Sequence, residues 1–295
     1  MDIRNINTPV PEVNNGEYLE MMYAHQKDLM EGYIKIEGLP GYPLNINNKK
    51  AQIILKDFSA RVTEELAEGY ESTHLAVNKL KEVGFNTNKL EEDDWRMIIN
   101  HLQNSNEEQA DATAFFIELM IYADINPEDF WDIIREEELL PEDIVTYYDQ
   151  EPEGLLEALM IIGVVLLNSN NSNLINLPLR YRVIDREDFK SLEEYENTCL
   201  YIPAFQELSE VYHEVEPIML WDVCYHLGVA RNYLKNKPWK QSGELTDEKP
   251  FKREVILGFI KYMGYLSYMG FTPSSLYNLF WRKNQVNKFR QKSNY

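Results

Sequence analysis

Apolar residues recur every three or four positions along most of this 295-residue chain, the spacing that places them on one face of an α-helix. Glycine and proline clusters separate these periodic stretches and mark their ends. One short segment, Leu179 to Ile184, has the composition of a β-strand, so the predicted fold class is all-α, a helical bundle. The pattern predicts helices over about 17–37, 49–83, 94–103, 105–124, from Pro127 onwards, 153–167, 201–234 with an interruption near Pro217, 251–269 and 273–291. Ser105, with Glu108 as a capping-box partner, is the predicted start of the fourth of these helices.

Two stretches around a proline resemble each other at an offset of 146 residues: Ile125 to Trp131, and Phe271 to Tyr277. The repeat predicts a duplicated chain, a single-chain pseudo-dimer of two helical halves. The alternative is that two helix–proline–helix corners look alike by chance. The predicted organisation is an N-terminal half over 1–138, a linker or insert over 139–200, and a C-terminal half over 201–295.

Two pairs of acidic residues carry the candidate chemistry. Glu65 and Glu68 are three residues apart on one predicted helix, and Glu108 and Asp111 repeat that spacing on another, so each pair projects from one helix face. If the two helices pack together, four carboxylates meet at one point, an all-oxygen cage suited to Mg²⁺ or Mn²⁺. The alternative is an ordinary solvated acidic surface. The apolar residues that flank both pairs favour the metal site.

The second copy of the repeat keeps only part of this cage. At the same offset Glu108 corresponds to Glu254, whereas Asp111 corresponds to Leu257. We therefore expect the C-terminal half to have lost a metal site of its own, because leucine cannot ligate a hard cation.

Composition narrows the function. The net charge of −20 and the pI of about 4.7 argue against non-specific nucleic-acid binding, which depends on neutralising phosphates with Lys and Arg. Two cysteines, Cys199 and Cys224, give no disulfide framework and no zinc spacing. The N-terminus lacks an apolar signal core, and the most apolar run, Leu155 to Leu167, is too short to span a bilayer. These features predict a cytoplasmic protein with no membrane partner.

The last predicted helix carries a second motif, Lys283-Asn284-x-x-Asn287-x-x-Arg290-Gln291. Its amides share one helical face and its cations an adjoining one, which suits binding of phosphate together with a sugar or base edge. The alternative is that its basic end only complements the C-terminus of the helix.

Together, the two acidic pairs and this closing motif resemble the dimeric, all-α dUTPases. Those enzymes belong to the all-α nucleoside triphosphate pyrophosphatases, a group that includes MazG-type enzymes. The resemblance covers roughly residues 18–131 and 205–295. It implies a helical bundle that binds Mg²⁺ through the carboxylates and hydrolyses a deoxynucleoside triphosphate, dUTP to dUMP and pyrophosphate, by water attack on phosphorus. The protein would be a monomeric pseudo-dimer or a homodimer.

The resemblance also implies roles for individual residues. Four would be metal ligands and, with a fifth carboxylate that orients the attacking water, would form the catalytic set: Glu65, Glu68, Glu108, Asp111 and, for the water, Glu64. The substrate-binding set would hold phosphate, sugar and base: Gln26 for uracil, Phe115 for stacking, and Lys283, Asn284, Asn287, Arg290 and Gln291. Asn236-Lys-Pro-Trp239-Lys240 resembles the Trp/Lys loop of the family.

Three alternatives stand beside this hypothesis. The same chemistry could act on dCTP or a modified nucleotide. Glu71-x-x-His74 and Glu210-x-x-His213 have the spacing of a di-iron carboxylate bundle. The chain could also be an inactive nucleotide-binding or interaction protein.

Overall fold

The computed structural model describes residues 8–84, 89–139, 152–170, 215–235 and 245–293, with the side chains of 168–170 left aside. Within these ranges the chain is all-α: it forms eight helices and no strand. The helices are α1 (Tyr18–Glu37), α2 (Lys49–Glu82), α3 (Glu92–Tyr122), α4 (Pro127–Glu136), α5 (Leu155–Asn170), α6 (Glu216–Tyr233), α7 (Glu248–Tyr268) and α8 (Pro273–Ser293). None of these helices has a stretch long and apolar enough to cross a membrane. The predicted strand, Leu179 to Ile184, lies outside the described residues.

Local signals in the sequence account for most helix ends. Gly38 takes a left-handed conformation after α1, and the Asn48 side chain accepts a hydrogen bond from the backbone N–H of Lys50 at the start of α2. Pro127 occupies the first turn of α4, where its missing N–H costs nothing. Pro217 likewise lies in the first turn of α6, and the earlier part of the predicted helix 201–234 is outside the described residues.

The predicted break before Ser105 is wrong, because α3 runs without interruption from Glu92 to Tyr122. Its N-terminus is capped by Glu91, which forms a capping box with Asp94. Ser105 is buried in the middle of α3 and shares a hydrogen bond of 2.8 Å with Thr73 of α2. A polar residue of the type that caps helices therefore joins two neighbouring helices here.

Two helix groups make up the bundle. In the first, α2 packs along α3, while α1 packs against α8 and α3. In the second, α7 packs against both α5 and α6. Helix α5 lies within the range predicted as a linker or insert, 139–200, and its buried leucines join the common apolar core. The packing brings α2, α3, α1 and α8 together, and these are the helices that carry the predicted site.

Contacts between the two groups are reciprocal at the 146-residue offset. The ring of Phe116 stacks on that of Tyr262, 146 residues later, with centroids 5.3 Å apart. Phe116 also meets Phe259 with ring centroids 5.5 Å apart, and the hydroxyls of Thr113 and Tyr262 lie 3.1 Å apart. Phe259 is the counterpart of Thr113 at the same offset. Phe116 therefore contacts the counterpart of Thr113, and Tyr262, the counterpart of Phe116, contacts Thr113 itself. Such reciprocal contacts are the geometry of an isologous interface.

An ion pair repeats the same relation with its charges reversed. Lys283 lies 3.8 Å from Glu107. At the 146-residue offset, Lys283 corresponds to Glu137 and Glu107 corresponds to Arg253, and these two counterparts lie 2.6 Å apart. Position 283 carries the cation in one pair, whereas its counterpart 137 carries the anion in the other. The two groups of helices therefore share a contact pattern, although their side chains differ.

Helices α5 and α7 of the second group approach each other closely at two glycines. A Cβ added to Gly163 of α5 would collide with the backbone of Ile260 and Gly264 on α7, and one added to Gly264 would collide with Gly163. Glycine is the residue that permits such close backbone approach. No comparable collision exists at Gly228 of α6, where an added Cβ meets nothing within 4 Å.

Replacing Gly163 by alanine should destabilise the fold, because the added methyl group meets backbone atoms that cannot move aside as a side chain would. We expect a loss of at least about 1–3 kcal/mol in the free energy of unfolding, measured by urea denaturation. Gly228→Ala is the matched control, since it fills open space within a helix and should be neutral or stabilising by about 0.5–1 kcal/mol. Equal stabilities of the two variants would contradict the close α5–α7 contact.

Candidate metal and nucleotide site

Three carboxylates converge where α2 and α3 lie side by side. Glu65 and Glu68 come from α2 and Glu108 from α3, and each offers one oxygen within 4.8 Å of the others. Glu65 and Glu108 are half-buried, whereas Glu68 is exposed at the mouth of the cluster. The three-residue step predicted the α2 pair, and the packing of α2 on α3 adds the third oxygen. This group has the spacing to hold a metal ion.

Electrostatics within the cluster favours an added cation. Burial, together with the negative charges of Asp111, Glu108 and Glu68, raises the pKa of Glu65 to about 8. Burial also raises the pKa of Glu108, although the hydrogen bond it shares with Glu65 acts in the opposite sense. Without a cation, the raised pKa values of both groups therefore favour a proton shared between Glu65 and Glu108.

Asp111, the fourth predicted ligand, is engaged by the closing helix. Its carboxylate lies 2.7 Å from Nζ of Lys283, which comes from α8 and also lies 3.8 Å from Glu107. Burial raises the pKa of Asp111, while Lys283 lowers it. Asp111 acts electrostatically on Glu65 and Glu108 but is outside the group of three converging oxygens. The closing motif therefore contacts one of the predicted carboxylates through an ion pair.

Glu64 is outside this group of three carboxylates. It is exposed on α2 and is not among the three carboxylates that share a potential metal position. Its assignment as the residue that orients water stays a prediction.

Two buried amides lie near the other end of the site. Gln26 of α1 is 1% exposed and Asn284 of α8 is 2% exposed. Nε2 of Gln26 donates to Oε1 of Glu118 at 2.5 Å, and Nδ2 of Asn284 donates to the carbonyl of His25 at 3.3 Å. The remaining oxygens, Oε1 of Gln26 and Oδ1 of Asn284, are buried without a hydrogen-bond partner. A buried polar atom left unpaired costs about 1–3 kcal/mol, so both oxygens favour a ligand that donates hydrogen bonds.

Glu118 is the functional candidate that the sequence reasoning missed. It is buried on α3, and burial raises its pKa to about 7, with the hydrogen bond from Gln26 acting in the opposite direction. The signal was a single glutamate within the apolar run Phe115-Phe116-Ile117-Glu118-Leu119-Met120. A charged residue on a buried helix face is rare unless it has a partner or a task.

Phe58, Phe115 and Arg61 form a cluster of two aromatic rings and one cation on α2 and α3. Phe115 is half-buried, and its ring lies 6.1 Å from that of Phe58. The guanidinium of Arg61 lies over both rings, with Cζ 5.5 Å from the Phe115 centroid and 5.9 Å from that of Phe58. Arg61 also acts on Glu118, whose pKa it lowers. Phe115 therefore has one face covered by Arg61 and lies four residues after Asp111 on α3.

The rest of the closing motif is divided between structure and surface. Nε2 of Gln291 donates to the carbonyl of Leu29 at 2.9 Å, so this amide fixes α8 against α1. Arg290 is exposed and donates to Oδ1 of Asn287 at 3.3 Å. Its charge nevertheless reaches the site, because it lowers the pKa of Asp111. Asn287 and Arg290 thus lie on the exposed side of α8, while Lys283 and Asn284 face inward.

The counterpart of the cluster in the second helix group is neutralised by the protein itself. Glu254 corresponds to Glu108, and it binds Nδ1 of His226 at 2.7 Å and Nη1 of Arg253 at 2.5 Å. On the facing helices, Lys261 binds Asp222 at 2.6 Å. Leu257 stands in the place of Asp111 and is buried. The Glu254 carboxylate therefore has protein partners.

The di-iron alternative finds no cluster among the described residues. Glu71 is exposed, and His74 packs against the ring of Tyr70 with centroids 5.9 Å apart. Several residues of the sequence hypotheses lie outside the described ranges: Cys199, Glu210, His213, Trp239 and Lys240. Cys224 is a free, half-buried thiol.

Comparisons with known proteins add no identity to this geometry. No family model, no curated protein and no solved structure matches the chain.

Proposed function

We propose that the protein is a divalent-metal-dependent deoxynucleoside triphosphate pyrophosphohydrolase, a hydrolase of the all-α pyrophosphatase type with dUTP as the preferred substrate. The observation that carries the proposal is the convergence of Glu65, Glu68 and Glu108 next to the Asp111–Lys283 ion pair. Carboxylates gathered around one point favour binding of a cation, and a lysine beside them supplies a contact for phosphate.

The donor set fits Mg²⁺, with Mn²⁺ as an alternative. All three converging groups are carboxylates, and one of them is exposed, which leaves room for water and phosphate oxygens in the coordination shell. The second helix group supports this fit by contrast, because its surviving Glu254 is already bound by His226 and Arg253. When bound, a divalent cation would neutralise phosphate oxygens and make a coordinated water easier to deprotonate.

The side chains of this chain have distinct tasks in the proposal. Glu65, Glu68 and Glu108 hold the metal, and Asp111 completes the anionic wall once Lys283 turns to the substrate phosphates. Lys283 and Arg290 neutralise the departing pyrophosphate. Glu64, exposed beside the cluster, orients the attacking water.

The distance along α3 between Asp111 and Glu118 suits the length of a nucleotide. Asp111 and Glu118 are seven residues apart, two helical turns, which corresponds to about 10 Å along the axis. The phosphates would lie at the Asp111 end and the base at the Glu118 end, next to Gln26 and Asn284. Phe115 lies between the two ends of this span, where it would pack against the sugar or base.

A direct assay tests the proposal: the purified chain is incubated with each deoxynucleoside triphosphate, with and without Mg²⁺, and released pyrophosphate is measured. We expect release from dUTP that requires Mg²⁺ or Mn²⁺ and is abolished by a chelator. Binding of nucleotide without release would instead support the inactive binding protein, and iron in the purified protein would support the di-iron alternative. Release that is unaffected by chelation would refute the metal-dependent mechanism.

A further inference from the structure

The side-chain amide of Gln26 binds Glu118, and the protonation state of Glu118 can reverse the orientation of that amide. Its Nε2 donates to Glu118, so its oxygen is left for a ligand. An ionised carboxylate only accepts hydrogen bonds, whereas a protonated carboxyl group also donates one. A protonated Glu118 would donate to Oε1 of Gln26 and turn the amide nitrogen towards the ligand.

Asn284 does not have this freedom. Its Nδ2 donates to the carbonyl of His25, which can only accept, so Oδ1 is the atom left for a ligand. The pair therefore presents one fixed acceptor from Asn284 and one group from Gln26 whose character depends on Glu118.

We propose that Glu118 is a positioning residue that sets the orientation of the Gln26 amide and thereby decides whether the site accepts a 4-oxo or a 4-amino pyrimidine. The inference rests on the proposed function, since it names the base specificity of that same site. With the Gln26 nitrogen facing the ligand, the donor–acceptor pair complements N3–H and O4 of uracil. With the Gln26 oxygen facing it, two acceptors meet the amino hydrogens of cytosine, for which O4 of uracil is a poor substitute.

The surroundings of Glu118 place both states within reach near neutral pH. Burial raises its pKa to about 7, and Asp111 on the same helix acts in the same direction. Gln26 from α1 and Arg61 from α2 lower it. The phenols of Tyr33 on α1 and Tyr122 on α3 also sense its charge, and Arg290 of α8 acts on Tyr33. Protonation is therefore favoured below about pH 7 and ionisation above it.

The test measures binding by calorimetry with α,β-imido analogues of dUTP and dCTP in the presence of Mg²⁺. For the unmodified chain, the preference for the uracil analogue should fall about tenfold between about pH 6 and about pH 8. The ratio of the two affinities cancels effects on the metal cluster, because both analogues carry the same phosphates. A merely structural role for Glu118 would not make this ratio depend on pH.

Two variants separate the role of Glu118 from general effects. Glu118→Gln cannot titrate, so the ratio of the two affinities should be the same at about pH 6 and at about pH 8. Gln26→Met has no amide to orient and should lose both the preference and its pH dependence. Glu216→Gln is the matched control: Glu216 is also buried, with its pKa raised by burial to about 8, but it binds Tyr265 in the second helix group. This variant should keep the pH dependence of the unmodified chain.

The outcomes distinguish this inference from the proposed function. If Glu118→Gln shows the same pH-dependent ratio as the unmodified chain, or if Glu216→Gln alters the ratio equally, Glu118 does not orient Gln26. If the ratio behaves as expected but no pyrophosphate is released from true substrates, the inference holds and the hydrolase assignment fails. If neither analogue binds to the unmodified chain, both fail.

Discussion

Replacing Glu108 or Glu68 by glutamine should lower Mg²⁺-dependent pyrophosphate release by on the order of 10²-fold or more. Each substitution keeps the size of the side chain but removes one of the three converging anionic oxygens. A neutral amide binds a hard cation far more weakly than a carboxylate does. Glu108→Gln also removes a negative charge that repels the carboxylate of Glu65, so the fold itself should tolerate the change.

Glu71→Gln is the matched control for this experiment. Glu71 lies on the same helix as Glu68, three residues later, and it is exposed outside the cluster. It also belongs to the Glu-x-x-His pair of the di-iron alternative, so retained activity in this variant would argue against that alternative. Full activity in both Glu68→Gln and Glu108→Gln, measured with thermal melting to verify folding, would refute the metal assignment.

The sequence predicted which residues share one face of a helix, but not which faces of distant helices contact each other. The three-residue step places Glu65 beside Glu68 on any regular helix, and both predicted acidic pairs lie on helices that do pack together. The same step places Asp111 beside Glu108, yet Asp111 turns to Lys283. This pairing depends on how α8 crosses α3, the partners being 172 positions apart in the chain, and no local pattern encodes such a crossing.

Two other misreadings have the same physical origin. Ser105 has the side chain of an N-cap, but its hydroxyl bonds Thr73 of α2, so the helix does not start there. The apolar run around Glu118 favours its burial, but only the approach of α1 reveals that its partner is Gln26. A polar side chain that serves a tertiary contact cannot be told from one that serves a local turn by its type alone.

The repeat shows what a sequence offset can and cannot convey. The stacking of Phe116 on Tyr262 and the reversed ion pairs Lys283–Glu107 and Glu137–Arg253 agree with the 146-residue offset. The offset also anticipated that Glu254 would lack a second carboxylate at Leu257. It gave no sign that His226 and Arg253 would bind Glu254, with Arg253 supplying a positive charge. Such compensation comes from residues outside the matched pair.

Stabilisation by Mg²⁺ should grow steeply with pH, because Glu65 must lose its proton before it can bind a cation. In the unfolded chain Glu65 titrates near its ordinary pKa of 4.5, whereas in the folded chain its pKa is raised to about 8. Below about pH 4.5 both states carry the proton and Glu65 does not affect the free energy of unfolding. As the pH rises towards about 8, the unfolded state is ionised while the folded state still holds its proton, so the metal-free protein loses stability.

Added Mg²⁺ should reverse this loss, since it binds the ionised cluster of the folded state and not the unfolded chain. The increase in melting temperature on addition of Mg²⁺ should be largest near pH 8 and small near pH 5; each kcal/mol of binding free energy adds roughly 2–4 °C. Glu65→Gln is the decisive comparison, because it keeps the other buried carboxyl groups, Glu118 and Glu216, whose own titration is common to both proteins. Their shared contribution cancels in the difference between the proteins. A Mg²⁺ effect of the same size at both pH values, or one retained in full by Glu65→Gln, would show that Glu65 is not a metal ligand.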